Sequence, residues 1–434
     1  MKVGIIGGTK GLGKTLAYYF KNFNFNVTIT SRNQAEGKSV ADEIGVKYLN
    51  NNKELARDND IVIVSVPIAS TIDVIKDIAS SMKPGSLMID VTSVKLGPSR
   101  VMGEVLSEEV EFIPTHPVFG PRTTDLDGQV IVLTPTKKGK WYPKVYNFLK
   151  KQNMRIIETT AQKHDDMMGI VQVLTHFSYI STASAIEKLK INIKETEEFE
   201  SPIYNLMIDT IARIVSQNPF LTYSIQHENE SGNKIRQAFA DAVLELKEVI
   251  NKSDEEEFRK IALRATKNMG DIQGALGRSD KAINSLSHEI TILRNSKGKE
   301  IGLKHIYSGK VHVGIVKELN SNFVVLDIKN SLKKIKIANV EILSSEELFN
   351  WKLKNQKIYT QSISSVFPNN SNSEIIKDTL SRVKNITNVT ITDTYTGPQI
   401  NEDKISFTFE VNGLTKKDIE YCKDLLKAFG GIIR

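Results

Sequence analysis

Val3-Gly4-Ile5-Ile6-Gly7-Gly8-Thr9-Lys10-Gly11-Leu12-Gly13 opens the chain and sets the pattern of its first domain. A short apolar run suited to a strand passes straight into a glycine-rich turn, and Leu16, Ala17 and Phe20 then recur at helical spacing. Strand, glycine turn and helix in that order is the context in which amides at a helix N-terminus cradle a dinucleotide pyrophosphate. In the usual spacing Gly8 makes the tight turn and Gly13 lets the helix pack closely, while Lys10 holds the middle glycine position. A tight turn can need glycine for geometry alone, so the surroundings decide. Val27-Thr28-Ile29-Thr30, Ile61-Val62-Ile63-Val64 and Leu87-Met88-Ile89 follow, separated by segments long enough for crossover helices. A doubly wound parallel sheet fits this order best, with Gly8, Thr9, Lys10, Gly11, Leu12 and Gly13 beside the cofactor.

The end of the second strand chooses between cofactors. An acidic residue there bonds the ribose 2′-hydroxyl of NAD; Thr30-Ser31-Arg32-Asn33 instead offers a hydroxyl at Ser31 and a guanidinium at Arg32, suited to a 2′-phosphate. NADP is expected, with NAD possible, and a surface turn that happens to carry Arg32 is the alternative. Ser65-Val66-Pro67 leaves the third strand on the same rim, placing Ser65 and Val66 with the cofactor. Asp90-Val91-Thr92-Ser93-Val94-Lys95 leaves the fourth, and in an extended segment Ser93 and Lys95 point to one side. An Asp/Ser turn into the next helix explains Ser93 equally well but gives Lys95 no part.

Pro114-Thr115-His116-Pro117-Val118-Phe119-Gly120-Pro121 supplies the candidate base. Proline fixes φ and biases its predecessor toward extended backbone, so His116 projects from a stiff rim of the kind where open α/β sheets bind ligands. A rim histidine satisfied by a neighbouring carbonyl is the alternative.

As a pair, the segments Asp90 to Lys95 and Thr115 to Pro121 resemble the prephenate dehydrogenase family of tyrosine biosynthesis. The resemblance implies that His116 accepts the proton of the ring hydroxyl of prephenate and that Ser93 orients base and substrate. It implies that a hydride leaves the same carbon for the nicotinamide while the ring carboxylate departs as carbon dioxide. Lys10, and Arg122 where an acidic residue can occur, depart from some members.

Beyond Thr160 the strand alternation gives way to helical spacing. Asp165, Gly169, Gln172 and His176 form one polar stripe on a largely apolar helix through Lys163 to Lys190, and Gln172 is read as lining the substrate pocket. A solvent face is the alternative, though such faces favour Lys and Glu. The resemblance places His176 of Thr175-His176-Phe177 near the substrate. Ser201-Pro202 opens another helix and Asn218-Pro219 closes it. Inside it Arg213, flanked by apolar residues, is the candidate carboxylate clamp, with an intrahelical pair to Asp209 as the alternative. Helices through Glu228 to Lys252, Asp254 to Asn268 and Asp280 to Asn295 carry apolar stripes such as Ile235, Phe239, Val243, Leu246 and Ile250, read as packing. The family resemblance implies a homodimer interlocked through this region.

After the polar break Asn295 to Glu300, strands at Lys310 to Val316, Asn322 to Ile328 and Ile335 to Ile337 make a small β unit. From Lys357 a βαββα(β) order appears. Asp393 through Phe409 is similar to the anticodon-binding ferredoxin-like module of phenylalanyl-tRNA synthetases, and ACT domains share the order. No dense basic and aromatic face is visible, so nucleic-acid binding is disfavoured and regulation preferred. The expected fold class is α/β. A Rossmann-type domain (1–160) precedes an all-α dimerisation and substrate domain (161–295), a small β unit (296–356) and a ferredoxin-like α+β module (357–434).

Length and composition suit a soluble globular protein of about three domains: 434 residues, 40% hydrophobic and 25% charged. The net charge of +7 is spread over mixed-sign segments such as Lys252 to Glu257, a solvated surface with a mild pull on anions. Cys422 is the one cysteine, so an internal disulfide is excluded, no metal site is expected and a reducing compartment is favoured. No run reaches the ~18 apolar residues of a bilayer span, and the chain enters a strand at once, so a cytoplasmic protein without membrane partners is expected. The activity expected is NAD(P)-dependent prephenate dehydrogenase. Arogenate dehydrogenase is the enzymatic rival; a non-catalytic NADP-sensing regulator is the other, against which the coincidence of Ser93, His116 and Arg213 argues.

Overall fold

Ile5 and Ile6 are both buried although they point to opposite faces of their strand, which is what a central parallel strand with helices on both sides demands. Ile5 packs with Val27, Ile61, Ile63 and Ile89 on one side, while Ile6 packs with Val62, Val64, Met88 and Ile75 on the other. Each such side chain, fully buried, contributes roughly 1.5–3 kcal/mol. The computed structural model describes residues 1–123, 125–196, 199–320 and 322–434, with the backbone alone at 285–287. The chain divides into two units, Met1–Gly270 and Asp271–Arg434.

The first unit opens with β1 (Lys2–Ile6), α1 (Gly11–Asn22), β2 (Asn26–Thr30), α2 (Gln34–Ile44), β3 (Lys47–Leu49) and α3 (Asn52–Asp58). It continues through β4 (Ile61–Val64), α4 (Ile68–Ala79), β5 (Leu87–Asp90), α5 (Leu96–Val105) and β6 (Glu111–Phe112). The sheet order is β3-β2-β1-β4-β5-β6, parallel throughout, the doubly wound order read from the apolar runs. Its topological switch point falls between β1 and β4, where the chain turns outward on both sides. A second sheet, β7-β8-β9, follows from β7 (Thr115–Pro117), β8 (Val130–Leu133) and β9 (Arg155–Glu158), with α6 (Tyr142–Lys151) before its last strand.

The helix expected from Lys163 to Lys190 is not uniform. α7 (Ala161–Met168) is capped by Thr160, a π-helical segment spans Gly169–Leu174, and α8 (Thr175–Lys188) continues it. Wider π turns break the 3.6 spacing. Gly169 consequently faces away from the expected lining: a Cβ there would run into Ile235. α9 (Ile193–Thr196) and α10 (Pro202–Val215) follow, the latter capped by Ser201 as expected. Asn218 does not close α10; its side chain accepts from Phe220 N and starts α11 (Pro219–Glu228), because Asn-Pro suits a helix start as well as a stop. α12 (Gly232–Asn251) and α13 (Glu255–Asn268) complete the unit. Along the α12 stripe Phe239 packs edge-on to Phe177 and Leu246 is half-buried, while Val243 and Ile250 are exposed.

In the second unit α14 (Ile272–Asn295) begins eight residues before its expected start, capped by Asp271. Ile290 and Leu293 on it pack into the core of a five-stranded antiparallel sheet. The strands are β10 (Glu300–His305), β11 (Val311–Leu319), β12 (Phe323–Ile328), β13 (Ser331–Lys336) and β14 (Val340–Ile342), in the order β13-β12-β11-β10-β14. Then come α15 (Ser345–Asn355), β15 (Tyr359–Pro368), α16 (Ser373–Ser381), β16 (Ile386–Tyr395), β17 (Lys404–Gly413), α17 (Lys416–Ala428) and β18 (Ile432–Ile433). Their sheet order is β16-β17-β15-β18, antiparallel throughout. Among the described residues no helix is long and apolar enough to cross a membrane.

Candidate active site

The glycine turn is built against its neighbours. Gly7 has φ +82° and a Cβ there would overlap the Ser65 carbonyl; a Cβ at Gly13 would overlap the Gly7 carbonyl. Only glycine therefore lets α1 start this close to the β4 rim, which puts Ser65 and Val66 beside the turn. Gly7 N and Gly8 N both donate to Thr30 O at 3.2 Å, and Thr9 Oγ1 lies 3.3 Å from Ser31 Oγ, so the turn is tied to the end of β2. Arg32 is exposed next to Ser31, and Lys10 at the N-cap of α1 pairs with Glu36 at 3.0 Å. No side chain caps α1, leaving the amides of Gly11, Leu12 and Gly13 directed at the turn. An uncapped helix start behind a glycine cradle fits the pyrophosphate of a dinucleotide.

His116 emerges on β7 from a rim that is stiffened from below. Thr115 Oγ1 donates to Asp90 O at 2.8 Å, and Lys95 Nζ donates to Thr115 O at 2.7 Å. Lys95 also pairs with Asp90, and both side chains are fully buried. Lys95, expected to point with Ser93 toward the base, turns inward instead: its backbone is helical, and its side chain reaches the Asp90 carboxylate that closes β5. Burial pulls the Lys95 ammonium below its ordinary range, with Asp90 opposing that shift.

Both nitrogens of His116 are engaged. Nδ1 lies 2.9 Å from His164 Nε2, and His164 Nδ1 lies 2.7 Å from Asp165 Oδ1. A carboxylate only accepts, so His164 carries its proton on Nδ1, its Nε2 accepts, and His116 must donate from Nδ1. That leaves the lone pair of His116 on Nε2, where the Gln172 amide nitrogen approaches to 3.4 Å. Burial first, then His164 and Lys95, hold the His116 imidazole well below its ordinary range and so neutral. A buried neutral imidazole whose basic nitrogen meets only a long amide contact, one that a substrate hydroxyl can replace, is a general base in its ready form.

Ser93 is half-buried in the β5–α5 loop, and no hydrogen bond joins it to His116 among the described residues. His116 Nδ1 is held by His164 instead. Sequence reading missed His164, since its neighbour Asp165 was assigned to a lining stripe and adjacent residues do not share a helix face. The His-Asp pair opening the first helix after the second sheet was the available signal. Asp165 also accepts from Lys95 N at 2.7 Å and Leu96 N at 2.9 Å, so it caps α5. One turn beyond Gln172, His176 is buried, and burial lowers it. Gln172 Oε1 and His176 Nδ1 are buried without a partner among the described residues, two polar atoms that a bound polar ligand can satisfy. Arg213 is not brought to this cluster. It is exposed on α10, and among the described residues it pairs neither with Asp209 nor with any other carboxylate.

Comparison with known proteins agrees with this architecture. Residues 16–158 match the family model of the prephenate dehydrogenase nucleotide-binding domain, and residues 160–263 that of the prephenate dehydrogenase dimerization domain. The chain is 40% identical, over its whole length and 97% of the relative's, to a probable arogenate/prephenate dehydrogenase of Methanocaldococcus jannaschii. It is 23% identical to the prephenate dehydrogenase [NADP(+)] of Saccharomyces cerevisiae, over 61% of this chain and 59% of that one. The crystal structure of prephenate dehydrogenase from Aquifex aeolicus superposes with a TM-score of 0.50 at 19% identity, over 62% of this chain and 99% of that one, a likeness of fold.

Proposed function

The chain belongs to the prephenate dehydrogenase family, and from that premise we propose that it oxidatively decarboxylates prephenate to 4-hydroxyphenylpyruvate with NADP as the preferred acceptor. The observation that carries the reading is the buried, neutral His116 with its lone pair on Nε2. His116 takes the ring hydroxyl proton at Nε2, the ring carboxylate leaves as carbon dioxide, and the phenolate oxygen of the aromatised ring takes the proton back. The nicotinamide, when bound, supplies the hydride acceptor. Gly8, Gly11, Leu12 and Gly13 hold its pyrophosphate, Thr9, Lys10, Ser31 and Arg32 its 2′-phosphate, and Ser65 and Val66 flank it. Gln172 and His176 satisfy the polar groups of prephenate, with Ser93 on the rim nearby. Arginine is the side chain suited to a substrate carboxylate, and Arg213 keeps that part in the proposal.

Two copies pair through the helical region, supported by the dimerization-domain match and by exposed Ile203, Leu206, Val243, Leu244 and Ile250. The ferredoxin-like part has a regulatory role. Ser362, Ser364, Thr408 and Glu410 lie opposite the core residues Ile363 and Phe409, a hydroxyl-rich face with Lys404 and Tyr395 at one end, sparser in cations and rings than a nucleic-acid platform.

The M. jannaschii relative's name covers arogenate as well, and arogenate is therefore the second reading. Initial rates with prephenate and arogenate, each offered NADP and NAD, test the choice; prephenate with NADP is expected to be fastest, and a preference for arogenate would reverse the substrate assignment. Arg32→Ala is expected to weaken NADP by about 10- to 100-fold while sparing NAD, since one charge-assisted contact is worth ~1.5–3 kcal/mol. An unchanged cofactor ratio removes Arg32 from the 2′-phosphate site. Arg213→Ala is expected to raise the KM for prephenate by about tenfold or more with a smaller effect on kcat. An unchanged KM removes the clamp.

A further inference from the structure

His116 does not end in solvent or on a carbonyl but on a second histidine and then a carboxylate, all three buried. If His116 is the base, as argued above, a proton arriving at its Nε2 makes a cation in a place built against one. The ring is fully enclosed, and the Lys95 ammonium below it carries the same charge. The reaction needs that proton held only briefly, because the phenolate takes it back. We propose that His164 holds it: His116 gains the substrate proton at Nε2 and passes its own Nδ1 proton to His164 Nε2.

The step balances. The O–H bond breaks as the Nε2–H bond forms, and its electron pair stays on oxygen for the C=O bond that appears when hydride leaves. His116 is again neutral, now protonated on Nε2. His164 is the cation, donating from Nε2 to His116 and from Nδ1 to Asp165, so the charge rests against the carboxylate. Loss of carbon dioxide returns electrons to the ring oxygen, and the proton travels back the same way.

Asp165 is placed for this and for one thing more. Its Oδ1 accepts from both His164 Nδ1 and Lys95 N, and its Oδ2 from Leu96 N. Every partner donates, so the carboxylate orients His164 and fixes the loop that carries Ser93 in one arrangement. His164 and Asp165 are therefore positioning residues that act through His116.

Two variants and one spectroscopic signature separate holding the proton from merely orienting the ring. His164→Leu removes the acceptor; kcat is expected to fall about 100-fold or more, with prephenate KM and NADP Kd within about threefold of the parent. His164→Gln keeps an amide oxygen to accept from His116 Nδ1 but cannot take the proton. Nitrogen-15 NMR of His116 in this variant is expected to show the lone pair still on Nε2 while kcat stays low. A His164→Gln enzyme with parental kcat overturns the inference, as does a fully active His164→Leu enzyme. Should His164→Leu fail to fold, the His164→Gln result decides alone. Failure of the parent protein to turn over prephenate or arogenate defeats the functional reading itself, a different outcome from either.

Discussion

His116→Asn lowers kcat by ~10²–10⁴-fold and leaves the KM for prephenate and the affinity for NADP nearly unchanged. Asparagine is smaller than the imidazole it replaces, and its amide can still donate to His164, so the β7 rim and the cofactor turn keep their shape. What it lacks is a basic nitrogen where Nε2 now stands, beside Gln172. Steady-state kinetics and cofactor titration of the variant read these terms separately; near-parental kcat removes His116 from the chemistry, and lost NADP affinity makes its part structural. The acid limb of kcat/KM in the parent enzyme carries the same information. Because burial, His164 and Lys95 all push the His116 imidazole down, the base stays neutral, and turnover persists, below the pH at which an ordinary histidine takes up a proton.

Lys95→Met destabilises the protein by ~3–5 kcal/mol, a large share of the stability of most domains. Methionine fills much of the volume, so packing is not the main loss. The Asp90 carboxylate is left buried without its counter-charge, and Oδ1 of that group already has no hydrogen-bond partner among the described residues. Thr115 O loses a donor at the residue before His116. Denaturant unfolding measures the effect as a lower midpoint with unchanged slope, and Asp90→Asn in the same chain recovers part of it. A loss below about 1 kcal/mol would mean that the pair is solvated and that the rim above it is not stiff.

The two features that organise the site were not equally legible in the sequence. Short apolar runs, a glycine turn and a histidine between prolines are local signals with periods of their own, and they led to the parallel sheet, the cofactor turn and His116 on the rim. Residues two apart share a direction only while the backbone stays extended, and the β5–α5 loop turns Lys95 in toward Asp90. The stripe from Asp165 to His176 was drawn on a regular helix, and the π segment redistributes it, sending Gly169 to Ile235 and leaving Gln172 at His116. His164 has no periodic mark at all. Its meaning comes from the meeting of α7 with β7, a contact between residues 48 positions apart, which no window of sequence contains.

Prephenate carrying deuterium on its hydroxyl-bearing carbon reports hydride transfer and decarboxylation in a single turnover experiment. The deuterium is expected in the reduced cofactor, with one carbon dioxide released for each cofactor reduced and a slower rate wherever hydride departure limits turnover. Reduced cofactor without deuterium, or formed without carbon dioxide, would contradict the proposed reaction.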